Sequence, residues 1–393
     1  MRSLPPIFVV AAARTPIGSF LGNLAPVRAP SLGAAAIQGA LTRARLEPDA
    51  IEEVFLGNVL SAGLGQAPAR QAAIYAAIPH GVPATTVNKV CGSGMQAVVF
   101  GVRALAMGDA DLVLVGGMES MSNVPYYLEK ARSGYRMGDG KIVDGMIYDG
   151  LWDPYSNVHM GNCGDKCAAE FKFSREEQDD YAKESFRRAL ATQRDAQRDE
   201  IEPVKVPSKK GEPVVVDVDE GPGKGDLSKF ATLKPAFSKD GTITAANASS
   251  ISDGACALIL ASEKAVREHK LEPLARILGY GGAAQAPEWF TTAPAKAIDT
   301  TLAKLGMKKE DIDLYEINEA FAVVAMACGR LCGIDLQRVN VRGGAVALGH
   351  PIGATGARIL TTLLYAMKER SAKRGLATLC IGGGEALAVV VER

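Results

Sequence analysis

Leu112-Val113-Leu114-Val115-Gly116-Gly117 is an apolar run of strand length that ends on a glycine pair. Ala377-Thr378-Leu379-Cys380-Ile381-Gly382-Gly383-Gly384 reads as its partner near the other end of the chain. Runs of this kind, closed by turn residues, are read as buried strands. The likeness reaches back from both. At a constant offset of 261, Ile37, Leu41, Ala44 and Ile51 map onto Ile298, Leu302, Leu305 and Ile312. One βαβαβ half, duplicated, accounts for these matches. The alternative is that any two α/β segments share such patterns. The same offset carries Cys91 to position 352, two residues from His350. Equivalent turns would then face each other, one bringing a thiol and the other an imidazole.

The alternation of elements supports an α/β class with a parallel or mixed sheet. Ile7–Ala11, Val54–Leu56, Thr85–Asn88 and Leu112–Val115 read as strands. Ser31–Arg45, Ala67–Ala77 and Ser93–Met107 read as the helices between them. After Ser249 come strands at Ala255–Ala261, Ala275–Leu278, Leu314–Ile317, Leu376–Ile381 and Leu387–Val391. Helices are expected at Ala295–Leu305, Ala320–Leu331 and Ile352–Lys368. Residues 120–247 break the rhythm with Gly, Pro, Tyr, Met and charge, and hold one clear long helix. That helix starts at Ser174, with Glu177 at capping-box spacing. The division expected is 1–119 with 248–272, an inserted region 120–247, and 273–393.

With 393 residues the chain outgrows one ordinary core, which agrees with two or three domains. Lys plus Arg equals Asp plus Glu at 44 each, so the basic excess that nucleic acid or an anionic membrane demands is missing. No stretch is expected to span a bilayer. Seven Cys are too sparse for a disulfide framework and suit a reducing compartment. Met1–Ala13 is followed at once by Arg14 and Pro16 and reads as a first strand, not a leader. Val389–Arg393 carries no peroxisomal address. A cytoplasmic location is expected.

Four turns could carry chemistry. In Val87-Asn88-Lys89-Val90-Cys91-Gly92-Ser93-Gly94 the thiol lies between a strand and a helix, where free N–H groups and the helix dipole favour a thiolate. The two glycines behind it are expected to let a substrate approach the backbone. An inert Cys beside a glycine turn is the competing reading. His350 sits in Gly343-Gly344-Ala345-Val346-Ala347-Leu348-Gly349-His350-Pro351-Ile352-Gly353-Ala354-Thr355-Gly356, a setting that an ordinary core imidazole does not require. It is the candidate base for the thiol. Cys380 ends an apolar strand before three glycines, whose N–H groups could stabilise an oxyanion. Asn318, in Glu316-Ile317-Asn318-Glu319-Ala320-Phe321, stands at another strand-to-helix junction and could instead be a helix cap. Cys163/Cys167 and Cys328/Cys332 lie in apolar helical patterns, where packing is favoured over zinc.

In order and spacing, Cys91 with its glycines, Asn318-Glu319-Ala320-Phe321, the Gly-His-Pro-x-Gly turn at 349–353 and Cys380 with its glycines resemble the four catalytic loops of the thiolase family. The resemblance runs over essentially the whole chain. It implies duplicated βαβαβ halves with mixed five-stranded sheets and helices between them, plus an inserted loop domain that binds coenzyme A. It implies Cys91 as nucleophile, His350 as its base, and Cys380 as the group that moves the α-proton. Asn318 would position a water that forms, with His350, the oxyanion hole for an enolate. The N–H groups of Cys91 and Gly382 would form the other hole. His159 and Met160 resemble the short-chain, acetoacetyl-CoA branch, the alternative being an ordinary surface-loop pair. Ala248, Ser249, Phe237, Phe321, Leu151 and Lys224 would contact substrate or CoA. Acetyl-CoA, CoA and acetoacetyl-CoA are then substrates and products, with no metal or redox cofactor, and a homotetramer built as a dimer of dimers is implied. Three departures stand out: Ala246 where Gly is common, a remodelled Asp219–Gly225 with Gly223 and Lys224, and Phe290 where short-chain members often carry Met. A broad-chain degradative thiolase, a decarboxylating ketoacyl synthase and a non-catalytic acyl-CoA-binding protein are the competing readings. Cys380 argues against the second, and the complete catalytic set against the third.

Overall fold

The computed structural model describes residues 4–195, 199–208 and 211–393; Met1–Ser3 of the expected first strand lie outside them. The first half contains β1 (Ile7–Arg14), α1 (Ala29–Ala44), β2 (Glu53–Gly57), α2 (Pro68–Tyr75), β3 (Ala84–Val87), α3 (Ser93–Met107) and β4 (Leu112–Ser120). After α4 (Met160–Glu170) and α5 (Arg175–Asp195), the chain returns as β5 (Ser252–Ser262), antiparallel to both β1 and β4. The second half contains β6 (Ala275–Ala284), α6 (Ala293–Leu305), β7 (Leu314–Ile317), α7 (Ala322–Cys332), α8 (Ile352–Glu369), β8 (Arg374–Ile381) and β9 (Glu385–Glu392).

The order β3-β2-β4-β5-β1 of the first half recurs in the second as β7-β8-β9-β6. There the counterpart of β3 shrinks to a single bridge between Tyr315 and Val339. Short antiparallel pairing of Phe8 with Arg276 and Val9 with Ala275 joins the halves into one mixed sheet. Three apolar cores show the layering. The first packs α1 and α2 on one side of the first half's strands, and another packs α6 and α7 on the far side of the second half's. Between them, α3 and α8 fill a shared core lined by both halves. By length and apolar content Val90–Met107 could cross a bilayer, contrary to expectation, but it is the buried helix of this central layer.

The opening comparison holds for the strands and fails for their glycines. Gly116 and Gly117 lie inside β4, whereas Gly382–Gly384 form the turn between β8 and β9. A Cβ on Gly117 would come within 2.1 Å of the Gly353 carbonyl oxygen, so this pair marks a close backbone approach and not a strand end. The glycines behind Cys91 are corrected in the same way. A Cβ on Gly94 would meet the Ala357 nitrogen at 2.8 Å, and one on Gly92 would strike Ile381. They admit helix α8 and a neighbouring side chain, not substrate. The starts of α3 and α8 are thereby held together.

Candidate active site

A cavity of about 350 Å³ opens where α3 and α8 begin. Cys91, His350, Gly382, His159, Met160, Ala248, Ser249, Phe237, Phe321 and Leu151 all line it. No Asp, Glu, Lys or Arg is among the described residues of its wall.

The thiol stands on a tight turn. The Gly92 N–H donates to the Lys89 carbonyl, Ser93 N–H to Val90, and Val90 N–H to Asn88 Oδ1. Val90 is held at φ +46°, a left-handed conformation that costs a β-branched residue about 1–3 kcal/mol. Burial pushes the Cys91 thiol up to about 11, against the pull of the Gly382 N–H and its own. The thiol form therefore prevails at neutral pH, contrary to the thiolate expected from the helix end, and nucleophilic use requires a base.

His350 follows Gly349, whose φ of +110° favours glycine. The Thr355 hydroxyl lies 2.7 Å from His350 Nδ1 and donates its one hydrogen to the Pro351 carbonyl at 2.9 Å. It must therefore accept from Nδ1–H, which leaves Nε2 as the lone-pair nitrogen. Nε2 is buried and has no protein partner. Burial pushes His350 down to about 3, with the Arg358 charge adding to the effect, so the free imidazole is neutral.

Cys380 and Asn318 lie behind the wall, at 0% and 1% exposure. Burial holds the Cys380 thiol well above its usual range, and a charge on Cys91 would raise it further. Neither amide atom of Asn318 has a protein hydrogen-bond partner. Residues 247–249 run beside 320–322: Ala248 bridges Phe321, Ser249 N–H donates to Ala320, and Ala322 N–H donates to Asn247. His159 accepts from Gly161 N–H through Nδ1 and stacks on Phe237 at 4.6 Å. Phe237 and Phe290 each meet Phe321 edge-on, closing the far wall. Lys224 is not brought to the cavity; it sits on the short helix Glu220–Lys224 and pairs with Glu220 at 2.6 Å. Cys163, Cys167, Cys328 and Cys332 are all buried in the outer core of the second half, and no cluster of three or more potential ligands for a metal exists among the described residues.

The N-terminal thiolase domain matches residues 7–264 and the C-terminal thiolase domain residues 271–393. The chain belongs to the thiolase family. This thiolase is 54% identical over 389 residues to acetyl-CoA acetyltransferase 2 of Arabidopsis thaliana, spanning 98% of the chain and 96% of that relative. A Gibberella zeae relative, named as a cytosolic acetyl-CoA acetyltransferase, is 47% identical over 100% of the chain and 99% of its own length. Acat5 thiolase from Ascaris suum, solved in complex with coenzyme A, has the same fold at TM-score 0.94 and 44% identity, covering 99% of this thiolase and 100% of that chain.

Two residues of this thiolase escaped sequence reasoning. Thr355 lies inside the glycine-rich turn, and its place five residues after His350 was the available signal. Glu119 gave none. Wholly buried, it accepts from the N–H groups of Val59, Leu60 and Gly353 and from Asn58 Nδ2. It thereby ties the loop after β2 to the first turn of α8, beside His350. Burial pushes this carboxyl up to about 7, although those N–H groups pull the other way.

Proposed function

We propose that this thiolase is an acetyl-CoA C-acetyltransferase, condensing two acetyl-CoA to acetoacetyl-CoA and CoA, or running the reverse. The observation that carries the reading is the single cavity in which the Cys91 thiol, the free Nε2 of His350 and the backbone at Gly382 meet. Relatives that bear the acetyltransferase name over their full length support the same substrate.

Cys91 Sγ attacks the thioester carbon while its proton passes to His350 Nε2. The C–S bond to CoA breaks, and the departing thiolate takes the proton of Cys380. An imidazolium and a Cys380 thiolate are thus formed together, which offsets the cost of each in a buried site. The Cys380 thiolate then removes an α-proton from the second acetyl-CoA. Asn318, through a bound water, and His350 stabilise the enolate oxygen. The enolate carbon attacks acetyl-Cys91, whose oxyanion is met by the N–H groups of Cys91 and Gly382. Collapse releases Cys91 as a thiolate, and His350 returns its proton. His159, Met160, Phe290 and Phe321 bound the acyl space, while Ala248, Ser249, Phe237 and Leu151 flank the pantetheine.

The test is thiolysis of acetoacetyl-CoA against a medium-chain 3-ketoacyl-CoA. At least a tenfold preference in kcat/KM for the short substrate is expected, about 1.4 kcal/mol of discrimination. Comparable rates would place the protein with the broad-chain degradative thiolases. Thr355→Val, which deprives Nδ1–H of its acceptor, is expected to lower kcat by roughly 10- to 100-fold with KM little changed, part of what a positioned base contributes. Steady-state kinetics decides it, and an unchanged kcat would refute the tautomer assignment.

A homotetramer in the cytosol completes the proposal. Exposed Tyr126, Leu128, Met137, Ile142 and Tyr155 cluster in one stretch of sequence and support an assembly surface there. Light scattering should return the mass of four chains; a monomer would exclude the assembly.

A further inference from the structure

Buried polar atoms continue behind the cavity, along β7 and the first turns of α8. Tyr315 and Ile317 of β7 pack into the outer core with α6 and α7, whereas Leu314 packs with α3 and α8. Strand alternation therefore turns Glu316 and Asn318 toward the inner helices as well. Glu316 and Arg358 are 1% and 2% exposed. Their nearest approach, Arg358 NH1 to Glu316 Oε2, is 3.9 Å, too long for a hydrogen bond. Nε, NH1 and NH2 of Arg358, Oε1 of Glu316, both amide atoms of Asn318 and Nε2 of His350 have no protein partner. These are seven of the ten such side-chain atoms among the described residues. Arg358 approaches Glu316 and its charge is felt at His350, while Asn318 follows Glu316 by two residues on the same face. Buried groups of this kind are normally met by ordered water.

We propose that Glu316 and Arg358 are positioning residues for the enolate step: with Asn318 and His350 they hold a buried file of waters whose last member faces the thioester oxygen of the second acetyl-CoA. This rests on the function proposed above. A fixed guanidinium at one end orients the water dipoles along the file, so the water on Asn318 presents a hydrogen to the developing oxyanion without reorganising. The Arg358 charge also adds to burial in keeping the resting imidazole neutral. Glu316 itself is pushed up to about 8, burial being the main cause.

The proposal separates two reactions of the same site. Acetyl exchange between acetyl-CoA and labelled CoA needs Cys91 and His350 but no enolate; condensation needs both. Arg358→Met is expected to slow condensation about 10- to 100-fold, part of what one oxyanion donor contributes, while acetyl exchange stays within about threefold. KM for acetyl-CoA should change less than about twofold, and Arg358→Lys should recover part of the loss. Glu316→Gln keeps the shape of the strand and serves if Arg358→Met does not fold; the same split at about five- to tenfold is expected. Equal losses in both reactions, or none in either, would overturn the proposal. A wild-type enzyme without acetyl exchange would instead sink the reading of Cys91, and this proposal with it.

Discussion

Cys91→Ala is expected to lower acetoacetyl-CoA thiolysis by about 10⁴-fold or more, as removal of a covalent nucleophile does elsewhere. The cavity wall offers Thr244, Ser249 and Ser250 as other hydroxyls, but no thiol besides Cys91. An alcohol is a far weaker nucleophile at neutral pH, and of the two residues that the strained turn brings to the cavity, Val90 and Cys91, only Cys91 carries a nucleophile. Substrate binding should survive, because His159, Phe237 and Ser249 are untouched. The check is the thiolysis rate together with mass spectrometry after incubation with acetyl-CoA. The wild type should gain one acetyl group and the variant none. Activity within a hundredfold of wild type would sink the acyl-enzyme mechanism.

Arg14→Met is expected to destabilise the fold by about 3–5 kcal/mol, the usual cost of removing one partner from a buried ion pair. Arg14 lies wholly buried at the end of β1 and holds two segments that arrive from the inserted region. Its Nε donates to Glu200 at 2.6 Å, and its two terminal nitrogens donate to the Asp219 carboxylate at 2.7 and 2.8 Å. Burial alone would depress this guanidinium; Asp219 and then Glu200 more than reverse that, and its pKa ends above the ordinary value. Methionine fills much of the volume but leaves the Asp219 carboxylate with the Ile17 N–H in place of a guanidinium. Glu200 keeps Arg342, at 3.2 Å, and the Thr362 hydroxyl. Urea unfolding followed by circular dichroism measures the loss. A change below about 1 kcal/mol would show that these carboxylates do not depend on Arg14.

Much of the fold was legible because local chemistry and tertiary packing agree. α3 and β7 have the bounds read from the sequence, Ser93–Met107 and Leu314–Ile317. The Ser174–Glu177 capping box is present in both directions, at 3.1 and 2.7 Å. Cys91 and His350, predicted to face each other from equivalent turns, do share one cavity. The failures have a common cause. β4 reads in the sequence as ending at its glycine pair but runs on to Ser120, because Gly116 answers the backbone of Cys256 and Gly117 that of Gly353, both far away in the chain. Thr355 and Glu119 likewise owe their importance to partners that folding supplies. A pattern rule sees neighbours along the chain, and these contacts are not among them.

The cavity wall without an ionisable acid or a lysine or arginine has a consequence for diet as well as for chemistry. In the proposed mechanism negative charge is met there by the N–H groups of Cys91 and Gly382, by His350 and by the water on Asn318, all of which serve the reacting oxygen. An acyl chain ending in its own carboxylate would have to shed its hydration with no counter-ion to receive it. Under the proposed function, the same bareness that suits a transient oxyanion is expected to disfavour succinyl- or glutaryl-type thioesters, with kcat/KM on them well below that on acetoacetyl-CoA.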